Sequence, residues 1–276
     1  MKALIKTLLS RPEIAAVVVA IVLAAGLGLE AERFMTVGNW RVILAIVPEL
    51  GLIALGATIL MISGEFDLSA GAMFIVGPYV GALAWKAGVP LPLAMVSGFA
   101  VAAAIGLFNG TVTVVFRIPS FIVTLGMMFV IRFGSRFVTG NTPVRFNPSG
   151  GFNEALAGQA TAGLPRWLDF VPAQFVWFLV IAALAYLLLN RHRLGNHFFA
   201  VGGSAATAAA TGINVARTKV IAFMLCPMLA TFAGTLSVAR LERATNSPQL
   251  FLELEAVAIC VMGGLSLYGG RGALIG

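Results

Sequence analysis

Residues 50–74 read LGLIALGATILMISGEFDLSAGAMF, and this stretch decides the class of fold. An apolar run over residues 50–62 leads into a polar turn with Glu65 and Asp67, after which apolar residues resume at once. A charged side chain at the centre of a membrane helix costs at least about 2.5–3.5 kcal/mol, so two carboxylates require a turn, water or partners. Because a Ser-Gly pair interrupts the run, the stretch predicts two helices joined by a polar turn, with Asp67 or Ser69 capping the second helix.

The composition of the whole chain identifies an integral membrane protein. Of its 276 residues, 59% are apolar and only 11% are charged, whereas soluble domains carry about 45–50% apolar and about 25% charged residues. The apolar runs reach the roughly 17–25 residues that a membrane-crossing helix needs, and they do not alternate with period two as the strands of a membrane barrel do. We therefore predict an all-α fold, a polytopic transmembrane helical bundle, in a single domain over residues 1–276.

The apolar runs predict about eight spans, and their order predicts the topology. Basic residues near the N-terminus favour a cytoplasmic start, so alternation places the Pro- and Gly-rich loop 139–171 outside and the loop 195–217 inside. The other basic residues are scattered, which argues against nucleic acid and for the anionic surface of membrane lipid as a partner. The predicted spans are 14–29, 42–62, 72–87, 92–116, 120–138, 172–190, 218–240 and 255–276.

The internal loop 195–217 contains a short helix signal. The glycine pair at 202–203 is expected to break the chain, Ser204 to N-cap a small-residue helix over 205–211, and Gly212 to end it. Such a helix is either a connector lying on the membrane or a rigid contact element for a cytoplasmic partner. The residues alone leave both interpretations open.

This loop resembles the coupling-helix loop in permease subunits of ABC importers for sugars of the ribose, xylose and galactose type. The glycine frame and Ile213 match, whereas the family's Asn, Glu and Arg are replaced by Ser204, Ala205 and Ala209. The resemblance implies a short cytoplasmic coupling helix that contacts an ABC ATPase. The residues it assigns to that contact are Gly202, Gly203, Ser204, Ala205, Ala208, Ala209, Gly212 and Ile213.

Three further stretches carry the same resemblance. Residues 54–72 resemble the family's G-G-I-D-L-S-V-G-S element, residues 108–132 its N-G…I-P-P-F-I-x-T-L-G element, and residues 253–276 its late G-G-T-S-L-x-G-G-x-G element. Members of the family continue through more apolar helices beyond the last element. The chain is therefore expected to be short at its C-terminus.

The resemblance implies the membrane subunit of an importer for a monosaccharide or related polyol, in the bacterial inner membrane. None of the four lysines follows a glycine, so the chain lacks the phosphate-binding G-x-x-x-x-G-K-[ST] loop of an ATPase. We expect no cofactor on this chain, with ATP and Mg bound by the partner ATPase. The other expected partners are a periplasmic solute-binding protein and a second copy of the permease.

Intramembrane polar residues are the candidates for a translocation path, because broken helices border the cavities of transporters. The sequence contains no catalytic or metal-binding motif. Three alternatives stay open: an ion-coupled secondary transporter using Glu49, Glu65 or Asp67, an ABC permease for a nucleoside or amino acid, and a non-transporting scaffold. The path candidates are Glu49, Glu65, Asp67, Ser69, Asn109 and Thr124.

Overall fold

The computed structural model describes residues 12–31, 33–159, 170–246 and 251–274. Within them, eleven helices and one two-stranded antiparallel ribbon are formed, which confirms the predicted all-α class. The elements are α1 (Pro12–Glu30), α2 (Val37–Ile62), α3 (Ala70–Lys86), α4 (Leu91–Phe116), α5 (Ser120–Thr139), β1 (Val144–Arg145), α6 (Phe152–Ala157), α7 (Ala173–Arg191), α8 (Arg193–Gly203), α9 (Ala205–Ala210), α10 (Val215–Leu241), β2 (Arg243–Ala244) and α11 (Leu252–Met262).

Helix α10 is the centre of the bundle and packs chiefly against α2, α3 and α4. Its buried face is rich in small residues, among them Ala222, Ala230, Ala233 and Gly234. Small side chains let helix backbones approach closely, which matters in lipid because apolar burial gives little drive for one helix to pack on another. The small residues of α10 therefore allow three helices to surround it.

The outer helices carry large apolar side chains on their outward faces. Phe137 and Val138 of α5 are 92% and 83% exposed, and Phe116 at the end of α4 is 68% exposed. Among the described residues, five helices are long and apolar enough to cross a membrane, namely α2, α4, α5, α7 and α10. A polytopic helical protein is thus confirmed, but the predicted number of eight spans is not supported.

The last predicted span, 255–276, is wrong as a continuous helix. Helix α11 ends at Met262, where Gly264 takes a left-handed φ of +87° and the Leu265 N–H donates to the Cys260 carbonyl. No helix follows in the described residues up to 274. Helix α3 occupies the predicted span 72–87, but at 17 residues it lies at the lower limit of the roughly 17–25 residues that a membrane crossing needs.

The predicted external loop 139–171 contains regular structure in its described part. Val144 of β1 pairs with Ala244 of β2, directly after the end of α10, and the short α6 follows. Phe146 is fully buried, and its ring lies 5.2 Å from that of Trp85 and 6.0 Å from that of Phe152. This loop is therefore fastened to the ends of α3 and α10.

The close contact of α10 with α3 can be tested at Gly234. A Cβ there would overlap the Phe74 carbonyl oxygen, so we expect Gly234→Ala to destabilise the protein by about 1–3 kcal/mol. The matched control is Gly134→Ala on α5, where a Cβ meets no atom within 4 Å and alanine favours the helix. Thermal unfolding in detergent should show a lower Tm for Gly234→Ala only, and equal Tm values would contradict the packing.

Candidate functional site

The break after α2 lies where the sequence predicted it. Ser63 ends the helix, its hydroxyl donating to the Leu60 carbonyl at 2.7 Å, and Gly64 adopts a φ of +85°. The Gly64 N–H then donates to the Met61 carbonyl at 2.9 Å. The Ile62 carbonyl accepts from the Gly270 N–H of a distant segment at 2.9 Å, so the last carbonyls of α2 are paired where the turn at residues 63–69 begins.

The backbone of this turn is held by the first turns of α5. The Phe66 N–H donates to the Ser120 hydroxyl at 3.2 Å, and the Leu68 N–H donates to the Thr124 hydroxyl at 3.1 Å. Thr124 in turn donates to the Ser120 carbonyl at 2.8 Å. Thr124 was a predicted candidate, whereas Ser120 was missed, because nothing in the sequence links a serine at a helix start to a turn 54 residues away.

A buried chain of polar side chains continues from the turn into α4. The Asp67 carboxylate accepts hydrogen bonds from the Ser69 N–H at 2.7 Å and the Ser69 hydroxyl at 2.5 Å, and the Asn109 amide donates to Ser69 at 3.0 Å. The second Asp67 oxygen, the Asn109 carbonyl oxygen and the Thr113 hydroxyl have no hydrogen-bond partner within the described part of the chain. The site thus presents oxygen atoms with unused hydrogen-bonding capacity.

The predicted cap of α3 differs in detail. Ser69 is the N-cap residue of α3, but its side chain makes no capping hydrogen bond. Asp67 instead fixes the N-cap residue itself, through the bonds to Ser69. Asp67 lies in the turn, outside the membrane-spanning helices, and its burial raises the pKa to about 6 against the lowering effect of the hydrogen bonds from Ser69.

The other two candidate carboxylates form ion pairs that the sequence analysis missed. Lys219 at the start of α10 contacts Glu65 at 2.5 Å, and Arg240 near its end contacts Glu49 at 2.8 Å. The structure therefore brings Glu65, Asp67, Ser69, Asn109 and Thr124 to the same turn but places Glu49 elsewhere. Each cation lies more than 150 residues from its carboxylate, so periodicity and spacing give no signal of the pairing.

A third polar group, also missed, joins α5 to the start of α11. Both Glu253 oxygens accept from one nitrogen of Arg132, at 2.9 and 3.1 Å. Nearby, the Asn246 side chain contacts the Ser135 hydroxyl and donates to the Thr139 hydroxyl, each at 3.2 Å. In an apolar bundle, these pairs satisfy groups that lipid could not.

The short helix predicted in the loop 195–217 is present as α9. Ser204 caps it by accepting from the Thr207 N–H at 3.2 Å, as predicted, and Gly212 ends it with a φ of +86°. The glycine pair does not break the chain as expected, because Gly202 and Gly203 form the last turn of α8 and the break falls at Ser204.

The two faces of α9 differ in exposure. Ala205 and Ala209 lie on the exposed face, together with Gly203, Ser204 and Gly212. Ala208 is 2% exposed and faces the protein, and Ile213 is half-buried. The predicted contact residues thus divide into an outer set and an inner set, which alanine spacing alone did not separate.

Known proteins resemble the chain over nearly its whole length. Residues 41–276 match the family described as branched-chain amino acid transport system / permease component. The ribose import permease protein RbsC of Escherichia coli strain K12 is 34% identical over 257 residues, which cover 93% of this chain and 78% of RbsC. The galactose/methyl galactoside import permease protein MglC of Haemophilus influenzae is also 34% identical, over 82% of this chain and 70% of MglC.

The name of a further relative specifies a different solute. The autoinducer 2 import system permease protein LsrC of Enterobacter sp. strain 638 is 32% identical over 274 residues, covering 98% of this chain and 76% of LsrC. No solved structure matches the chain.

The hydrogen bonds of Asp67 predict different effects for two substitutions. Asp67→Ala leaves the Ser69 N–H and hydroxyl without their acceptor, so we expect a loss of about 0.5–2 kcal/mol, as for a lost helix cap. Asp67→Asn keeps an oxygen acceptor and should be tolerated. Thermal unfolding at neutral pH measures both, and an Asn variant as unstable as the Ala variant would contradict the role of the acceptor.

The raised pKa of Asp67 also predicts a pH dependence. A carboxyl group whose pKa is higher in the folded than in the unfolded state contributes stability at low pH, and this contribution is lost as pH rises from about 4 to about 6. The Asn variant cannot ionise here, so its Tm should increase relative to wild type across that interval. If the difference in Tm between Asp67→Asn and wild type stayed constant from about pH 4 to about pH 6, the raised pKa of Asp67 would be contradicted.

Proposed function

Since the chain belongs to the family of branched-chain amino acid transport system permease components, we propose that it forms the translocation path of an ABC importer for a monosaccharide or related polyol. The chain is an inner-membrane permease with several membrane-spanning helices. The names of three relatives specify ribose, galactose or methyl galactoside, and autoinducer 2 as imported solutes. These names favour a small polyhydroxylated solute over an amino acid.

The observation that carries the proposal is the buried polar cluster at the turn of residues 63–69. Asp67, Ser69, Asn109 and Thr124 gather carboxylate, hydroxyl and amide groups inside an apolar bundle. The unused acceptors on Asp67 and Asn109 suit the hydroxyl donors of a sugar. A few placed polar groups in an otherwise apolar site are what orient a small ligand.

The coupling role is proposed for the exposed face of α9. The family of binding-protein-dependent importers implies an ATPase and a solute-binding protein as partners. Ala205 and Ala209 lie on the exposed face of a capped helix, and their small side chains allow another protein surface to approach closely. ATP and Mg would be bound by that partner, and a second permease copy would complete the membrane unit.

The ion-coupled alternative has less support from the charges. Glu49 and Glu65 already form ion pairs with Arg240 and Lys219. Asp67 has no salt-bridge partner in the described segments and would be the remaining ion-site candidate. A reconstitution experiment distinguishes ion-coupled from ATP-driven uptake.

The energy source separates the two functions. The permease is reconstituted in sealed vesicles with its candidate ATPase and binding protein, and sugar entry is followed with ATP present and the ion gradient collapsed by an ionophore. We expect uptake to continue, because a gradient-driven carrier would lose about 2.3 kcal/mol per elementary charge for each 100 mV removed. Uptake that stops with the gradient and needs no partner protein would overturn the proposal in favour of ion coupling at Asp67.

The two faces of α9 predict different defects. Ala209→Trp adds bulk on the exposed face and should weaken ATPase binding about tenfold or more, the equivalent of about 1.4 kcal/mol, with an unchanged Tm. The control is Ala208→Trp on the buried face, which should lower the Tm of the permease alone by overpacking. Wild-type ATPase binding and uptake by Ala209→Trp would exclude α9 as the contact.

A further inference from the structure

We propose that the turn at residues 63–69 is the mechanical link between the α9 loop and the helices of the path, and that Gly202, Glu65 and Lys219 are its positioning residues. This inference rests on the proposed function, since it specifies how movement at α9 reaches the polar cluster. It adds residues that the sequence motifs did not connect with one another.

The first connection is a contact of main chain on main chain. The Gly270 N–H donates to the Ile62 carbonyl at 2.9 Å, and Gly202 lies against both. A Cβ on Gly202 would overlap the Ile62 carbonyl oxygen and lie 2.6 Å from the Gly270 nitrogen. Three segments far apart in sequence therefore meet without intervening side chains, so displacement of one segment is not absorbed by rotamer changes.

The second connection is the Glu65–Lys219 ion pair. Gly202 lies two residues before the cap of α9, whereas Lys219 follows α9 in the first turns of α10. Gly202 also lies against Gly64 in the turn, where a Cβ on Gly64 would be 3.6 Å from the Gly202 Cα. Both arms of the α9 loop are thus attached to the same turn, one through backbone contact and the other through charge. The side chains of Lys219 and Glu65 are only 20% and 11% exposed, so the attraction is less screened than at an open surface.

The opposite side of the turn is attached to the helices of the path. Phe66 and Leu68 donate to the first turns of α5, α3 begins directly after Ser69, and Asn109 connects the turn to α4. The same three helices border an open apolar groove of about 300 Å³, lined by residues such as Val76, Ile105 and Ile131. A shift of the turn would therefore move the helices that shape this groove.

The proposed movement starts at α9 and ends at the helices of the path. When α9 moves, Gly202 and Lys219 displace the turn. The displaced turn then either moves α3 and α5 with it or breaks its hydrogen bonds to Ser120 and Thr124. Packed elements of this kind change between discrete arrangements rather than deforming continuously. Without the Glu65–Lys219 ion pair, α9 should still bind the ATPase, but only part of its displacement should reach the turn.

The test is a charge exchange in the reconstituted importer, measured as ATP hydrolysed per sugar transported. Glu65→Lys and Lys219→Glu should each raise this ratio by roughly fivefold or more, the low end of coupling between sites. The double variant carrying both changes should return the ratio towards wild type. Wild-type ratios in both single variants, or no recovery in the double variant, would overturn the proposal.

A matched control uses the second ion pair between α2 and α10. Arg240→Gln removes the cation from Glu49 far from α9 and should lower the Tm while leaving the ratio unchanged. A ratio raised as much by Arg240→Gln as by Lys219→Glu would show that loosened packing alone causes the defect. Gly202→Ala should raise the ratio far more than Gly203→Ala, where a Cβ meets no atom within 4 Å.

A measurement on the permease alone separates this proposal from the proposed function. The chain contains two cysteines, Cys226 and Cys260, both buried, so Ala209→Cys can be spin-labelled selectively. The label should gain mobility in Lys219→Glu and lose it again in the double variant, with neither ATPase nor sugar present. Unchanged label mobility in Lys219→Glu would overturn the proposed link at residues 63–69. Absence of ATP-driven uptake by the wild type would instead overturn the proposed importer function.

Discussion

Polar groups inside this chain must find their partners within the protein, because lipid tails offer no hydrogen bonds. The described structure meets this constraint largely through contacts between distant segments, although several buried side-chain atoms, among them Asp67 Oδ2, Asn109 Oδ1 and both polar atoms of Gln174, have no hydrogen-bond partner in the described residues. Three carboxylates are neutralised by cations on other helices. The turn at residues 63–69 uses the hydroxyl groups of α5 for its backbone N–H groups. The ion pairs and the hydrogen bonds of the candidate site are consequences of this requirement.

The need to pair polar groups within the protein also explains which carboxylates of the site keep unused hydrogen-bonding capacity. A buried ion pair costs desolvation that its attraction only partly returns, but removing one partner leaves a charge that is far more costly. Glu65 and Glu49 are protected in this way. Asp67 relies on neutral hydrogen bonds alone and keeps one oxygen unbonded within the described segments. Among Glu49, Glu65 and Asp67, the carboxylate with the least compensation is therefore Asp67.

Local features of the sequence predicted local features of the structure. Composition and continuous apolar runs identified a helical membrane protein, and the Ser-Gly break and the Ser204 cap lie where capping rules put them. The predicted count of eight spans is not supported, in part because apolar glycine-rich residues after Met262 have span-like hydropathy, whereas left-handed glycines end the helix there.

Contacts between distant segments were not predictable from one sequence. The partners of Glu65, Glu49 and Glu253 lie 154, 191 and 121 residues away along the chain. The inward orientation of Ala208 depends on how α9 rests against the protein, and a run of alanines contains no periodicity that could reveal it. Tertiary packing decided these features, and local propensity did not.

The Glu49–Arg240 pair has a consequence for biogenesis. The two residues are 191 positions apart, so at about 5–20 residues per second the ribosome needs roughly 10–40 seconds to supply the arginine. During that delay the nascent α2 carries a carboxylate whose countercharge has not yet been synthesised. The pair can form only once α10 has been synthesised and has packed against α2. During insertion of this chain, the early helix α2 therefore gains its countercharge only from the late helix α10.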